Sequence, residues 1–138
     1  MSAPATTAPA VAAPPPALAA RLVDPAQPGS LDLLQVLHGT VVAMVASDRP
    51  DLSARQLGVF LTVYLEDGPH TVRGLAATLN VSKPALTRAL DRLGELDLAR
   101  RRVDPMDRRR VLVQRTLKGA QFLGDLRGML NRAAEGGR

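Results

Sequence analysis

Residues 71–93 read TVRGLAATLNVSKPALTRALDRL, and the fold of the chain turns on them. Thr71 stands at a helix N-cap position, and VRGLAATL behind it places Leu75, Ala76 and Leu79 at helical spacing. Asn80, Val81 and Ser82 leave room only for a tight turn. Ser82 is then a second N-cap, with Pro84 in the first turn of the next helix, where a missing N–H costs little. In that helix Leu86, Ala89, Leu90 and Leu93 recur on one face and face a core. Lys83, Thr87, Arg88, Asp91, Arg92 and Glu95 fall on the other face. A short helix, a tight turn and a second helix with a basic, hydroxyl-bearing outer face form a helix-turn-helix pattern. The competing reading of that outer face is a solvated surface of mixed charge.

The segment C-terminal to this helix separates the two readings. Residues 101–110 are RRVDPMDRRR, five arginines around two aspartates and a proline. LARRRV and RVLVQR on either side alternate in part, and Val111 and Val113 sit two apart, as a half-buried strand requires. Pro105 forces Asp104 to be extended, and Asp-Pro with Asp107 close behind favours a turn. The expectation is a β-hairpin with a basic tip. Residues 82–115 carry ten Lys or Arg and five Asp or Glu, an excess equal to the net charge of +5 of the whole chain. One helix and one hairpin therefore hold all the excess positive charge. Such self-repulsion is relieved by a polyanion. Asp104 and Asp107 are expected to hold arginine forks in fixed directions. The candidate nucleic-acid contacts are Ser82, Lys83, Pro84, Thr87, Arg88 and Arg92 on the helix, with Arg108, Arg109 and Arg110 on the hairpin.

The flanks are different in kind. The chain has 138 residues, enough for one domain with some excess. Residues 1–29 are rich in Ala and Pro and hold seven of the eleven prolines, so they read as an extended, mostly disordered tail with room for a short helix at Pro16–Val23. They lack the basic start and unbroken apolar centre of a signal peptide. Residues 30–138 are expected to form the domain. LDLLQVLHGTVVAMVA is its most apolar stretch, too short for a bilayer and containing Asp32, Gln35 and His38. With Ser30 as N-cap it reads as a helix from about Leu31 to Ser47, buried or facing a partner, with His38 in a core or an interface. Ser53 starts a helix carrying Leu57, Phe60, Leu61 and Leu65, which Gly68 and Pro69 stop. Near the C-terminus Leu123, Leu126, Leu130 and Ala133 form a seam of the coiled-coil kind, which suits either the first helix of the same chain or a second protomer. The combined apolar area favours a homodimer using Leu34, Val41, Leu123, Leu126 and Leu130.

Composition narrows the chemistry. Aromatic residues are 2% of the chain, so the core is expected to be Leu, Val and Ala. There is no cysteine, which excludes disulfides and thiolate catalysis and makes a reducing cytoplasm the default. Two histidines and no cysteine give little support for a metal site, and no cofactor is expected. No nucleophile–base pairing and no Gly-rich phosphate loop is legible, so the chain does not read as an enzyme.

The words LSARQLGVFL, TVRGLAATLNVSKPALTRALDRL, DPMDRRRVLV and TLKG, from Leu52 to Gly119, resemble the MarR family of winged helix-turn-helix transcription regulators. The resemblance implies a mainly α fold with a small β-hairpin wing. It implies double-stranded DNA as partner, a homodimer, and a regulatory role read here as repression. It makes the helix from Lys83 the recognition helix, sends Arg108 or Arg109 into the minor groove, and gives Asp107 the task of orienting it. The chain departs from the pattern in three ways. Arg115 stands where the family usually has a leucine, the segment from Thr116 has room for one helix rather than two, and the Ala/Pro tail is extra. A small-molecule effector is left open. The alternatives are a non-specific nucleoid or phage-encoded DNA binder, or an adaptor for an acidic protein, which a basic recognition helix disfavours.

Overall fold

A computed structural model describes Pro15 and residues 31–136. The expectations of a tail over residues 1–29, of a helix at Pro16–Val23 and of a cap at Ser30 lie outside the described residues. The elements run α1 (Leu33–Ala46), α2 (Ala54–Leu65), β1 (His70–Thr71), α3 (Val72–Leu79), α4 (Lys83–Glu95), β2 (Ala99–Asp104), β3 (Asp107–Arg115) and α5 (Leu117–Gly136).

The first helix starts later than Ser30 would place it. Asp32 is the cap, its Oδ1 accepting from the backbone N–H of Leu34 at 3.0 Å and of Gln35 at 3.4 Å. Ser53 opens α2 with a capping box, its Oγ accepting from Gln56 N–H at 3.1 Å while Gln56 Oε1 accepts from Ser53 N–H at 2.9 Å. Thr71 caps α3 and Ser82 caps α4. The turn between α3 and α4 depends on Asn80, which is left-handed at φ 51°, with Asn80 N–H on Ala77 O at 3.2 Å and Val81 N–H on Ala76 O at 3.1 Å. Asp97 ends α4 by the same device, at φ 56°, with its N–H on Gly94 O at 3.0 Å and Leu98 N–H on Leu93 O at 2.8 Å. Asn and Asp enter this region more readily than other non-glycine residues.

Leu86, Ala89, Leu90 and Leu93 of α4 are buried, as their spacing requires. They pack with Val59, Val63 and Leu75. The expectation of a core without aromatics is corrected at its centre. Phe60, Tyr64 and Phe122 are all the aromatic residues of the chain, and all three are buried together. Phe60 lies 4.5 Å from Tyr64 and meets Phe122 edge-on at 5.2 Å, centroid to centroid. Few aromatics means a small aromatic share of core volume, not an aromatic-free core.

The hairpin forms as its alternation predicts, but its sheet has three strands in the order β1-β3-β2. His70 pairs with Val113 and Thr71 with Leu112. Two residues after Pro69, the second of them the cap of α3, carry no period, so this strand has no sequence signature. The helices α1 and α5 pack on each other: Val36 and Thr40 are buried, and an added Cβ on Gly39 would come within 3.1 Å of Ala133 Cβ. His38 is exposed, which corrects its reading as a core residue.

One hydrogen-bonded knot ties α2, the end of α4, the sheet and α5 together. Tyr64 Oη donates to Leu98 O at 2.7 Å and accepts from Thr116 N–H at 2.9 Å. Thr116 Oγ1 donates to Asp97 O at 2.6 Å and accepts from Gly119 N–H at 2.9 Å. Arg115 then has a physical role. Its guanidinium donates to Val63 O at 2.8 Å and Glu66 O at 3.1 Å, and lies 5.8 Å over the Tyr64 ring. It satisfies carbonyls at the C-terminal end of α2, which a leucine cannot do.

Candidate nucleic-acid interface

Every acid between residues 82 and 115 is matched to one arginine. Asp91 pairs with Arg101, Glu95 with Arg92 at 3.4 Å, Asp97 with Arg100 at 3.0 Å, Asp104 with Arg110 at 3.6 Å and Asp107 with Arg109 at 3.3 Å. Arg115 is turned onto carbonyls. Lys83 and Arg88 on α4, and Arg102 and Arg108 on the hairpin, are exposed and have no acidic partner among the described residues. The local excess of charge thus resolves into named side chains. The four pairs other than Asp104–Arg110 are exposed and contribute little to stability, typically about 0–1 kcal/mol.

The two hairpin aspartates do different things. Asp107 Oδ1 accepts from the backbone N–H of Arg109 at 3.1 Å and from its Nε at 3.3 Å. Between Arg108 and Arg109, then, Asp107 engages Arg109 and leaves Arg108 to solvent. Asp104 is buried and builds the turn, its Oδ1 accepting from Met106 N–H at 2.9 Å. The Arg101–Asp91 pair joins β2 to the outer face of α4, linking hairpin and helix directly.

The remaining helix candidates are mixed. Ser82 Oγ is occupied by Ala85 N–H at 3.2 Å, Pro84 is exposed, Thr87 is half-buried and Arg92 is exposed but paired. Of the association candidates, Leu34 is 70% exposed, Val41 46% and Leu130 39%, whereas Leu126 is only 6% exposed and Leu123 is half-buried within its own chain. The apolar face of α1 is broader than those two positions: Leu33, Leu37, Val42 and Val45 are exposed as well. Sequence reasoning missed Arg73. It lies in the first turn of α3, exposed, and shares a cleft of about 630 Å³ with Lys83, Asp107, Arg109 and Arg110. No sequence signal places α3 beside the hairpin. No described helix is long and apolar enough to cross a membrane.

The capped helix pair and the hairpin beside it define a winged helix-turn-helix protein. Residues 50–110 match the MarR family model, and this winged segment is similar to that family. No curated protein matches the chain. Among solved structures, the chain is similar to CouR from Rhodococcus jostii RHA1 bound to p-coumaroyl-CoA, at 28% identity and TM-score 0.55, covering 71% of this chain and 66% of that one. It shares its fold with the transcriptional regulator Tm0710 from Thermotoga maritima, at 23% identity and TM-score 0.62, covering 75% and 69%. It likewise shares its fold with MepR of S. aureus in a DNA complex, at 19% identity and TM-score 0.58, covering 72% and 77%.

Proposed function

We propose that this chain is a sequence-specific double-stranded DNA-binding regulator that acts as a homodimeric repressor. Helix α4 enters the major groove and the hairpin lies on the minor groove and backbone. The observation that carries this is the unmatched positive charge: Lys83 and Arg88 on the helix, Arg102 and Arg108 on the hairpin, with every local acid already engaged. Arg and Lys are the side chains that reach guanine edges and phosphates. Ser82, Pro84 and Thr87 supply the close approach of the helix start, and Arg92, Arg109 and Arg110 the flanking charge. The test is selection of bound sequences from a random duplex pool at stated salt. Enrichment of a palindrome supports both specificity and two-fold symmetry. Recovery of unenriched sequence favours the non-specific binder. Arg88→Ala is expected to cost about 1–3 kcal/mol at the preferred site and to relax one position of it.

The homodimer rests on α1. Six large apolar side chains of this helix, Leu33, Leu34, Leu37, Val41, Val42 and Val45, stand exposed in the single chain. A patch of that kind marks an association surface. Leu123 and Leu126 are already engaged internally, so α1 and Leu130 carry the contact. Leu34→Glu with Val41→Glu is expected to give a folded monomer in sedimentation, whereas Leu126→Glu unfolds the chain. A double variant of wild-type mass excludes this face.

The place of an effector is constrained by space. The apolar gap among Met44, Arg49, Phe122, Leu126 and Met129 amounts to about 10 Å³. Sites for drug-sized ligands are usually about 300–1,000 Å³. An effector at this gap therefore requires α5 to move away from the α1–α2 connection, where Arg49 holds Asp125 at 2.9 Å.

A further inference from the structure

The cleft between the recognition helix and the hairpin is walled by a third element. Arg73 of α3 and Lys83 of α4 line it together with Asp107, Arg109 and Arg110 of β3. The hairpin arginines are each bound to a carboxylate, Asp107 and Asp104. Arg73 and Lys83 have no acidic partner among the described residues. Resting on the DNA-binding reading above, we propose that this cleft is the track of one phosphodiester strand and that Arg73 binds a phosphate in it.

The reason is geometric. In a duplex the major and minor grooves are separated by a single sugar–phosphate strand, and the grooves are about 12 Å and about 6 Å wide. A protein with a helix in one groove and a hairpin in the next must straddle that strand. Here the straddled space is the cleft of about 630 Å³, whose lining holds the unpaired cations Arg73 and Lys83 beside the carboxylate-bound Arg109 and Arg110. Arg73 stands outside both the recognition helix and the hairpin, yet its side chain lines this space. A guanidinium there meets a phosphate with two donors, and meets it on any sequence. Arg73 is therefore a positioning contact: it sets how deep the helix and the hairpin sit without reading a base.

The experiment uses the full chain on its selected duplex, with affinity measured across a salt series. Arg73→Ala is expected to lower the slope of log affinity against log salt by about 0.9 for each phosphate no longer neutralised, hence about 1.8 for a dimer, with the base preference unchanged. Arg73→Lys is expected to recover the slope, and Arg127→Ala, which removes a cation on α5, to leave it alone. Replacing phosphates one at a time by neutral methylphosphonate should reveal one position per half-site that weakens the unaltered chain but not Arg73→Ala. An unchanged slope in Arg73→Ala, alongside a lowered slope in Arg108→Ala, overturns the role of Arg73 and leaves the DNA-binding reading intact. Failure of the unaltered chain to bind any duplex sinks both.

Discussion

Gly119→Ala is expected to lower the unfolding free energy by about 3–5 kcal/mol, a large part of the roughly 5–15 kcal/mol that holds a domain together. A Cβ at this position would collide with Tyr64 Oη and with Leu98 O. Neither neighbour is able to retreat cheaply. The hydroxyl is bonded to Leu98 O and to Thr116 N–H, and Leu98 O is main chain in a buried segment. The variant thus combines overpacking, about 1–3 kcal/mol, with the breaking of buried hydrogen bonds at about 1–3 kcal/mol for each group left unsatisfied. Urea denaturation measures it. Tyr64→Phe removes the atom that the new methyl meets first, so the double variant should be more stable than the sum of the two single effects by at least about 1 kcal/mol. Strict additivity would mean that the clash is relieved elsewhere.

On DNA the largest expected effect is that of salt. A dimer making roughly six to ten phosphate contacts loses about 10³–10⁵ in affinity between about 50 and about 200 mM salt. Arg108→Ala should flatten that dependence and weaken binding to all duplexes alike, because the minor groove and the phosphates carry little sequence information. Asp107→Ala separates two ideas by its sign. Removal of a negative charge should tighten binding if charge alone matters. Because Asp107 holds Arg109 through both its backbone N–H and its Nε, removal of the carboxylate should instead weaken binding. Tighter binding would show that Asp107 does not orient the hairpin.

The elements legible in the sequence were those announced by a local rule. Caps at Ser53, Thr71 and Ser82 mark helix starts, the leucine period of α4 marks its buried face, and Asp-Pro marks the hairpin turn. What escaped was set by tertiary geometry. His70 and Thr71 become a strand only because β3 runs beside them. Asp32 caps α1 because its carboxylate reaches two N–H groups at once. The acids of the basic region looked like tethers, but which arginine each one holds depends on hairpin register and on the crossing of β2 with α4. Arg115 read as a departure from a pattern, and its reason lies in carbonyls some fifty residues earlier in the chain, at Val63 and Glu66.

The knot around Tyr64 also has a spectroscopic consequence. The chain has one tyrosine and no tryptophan, so its intrinsic ultraviolet emission comes from a single phenol. That phenol is bonded to Leu98 O, overlain by the Arg115 guanidinium and packed at a tilt against Phe60. Its signal reports on one place only, the joint where the α5 helix meets the winged half of the molecule. A titration that changes tyrosine emission therefore reads movement at that joint without any introduced label, and a ligand that leaves the joint still is silent in the same measurement.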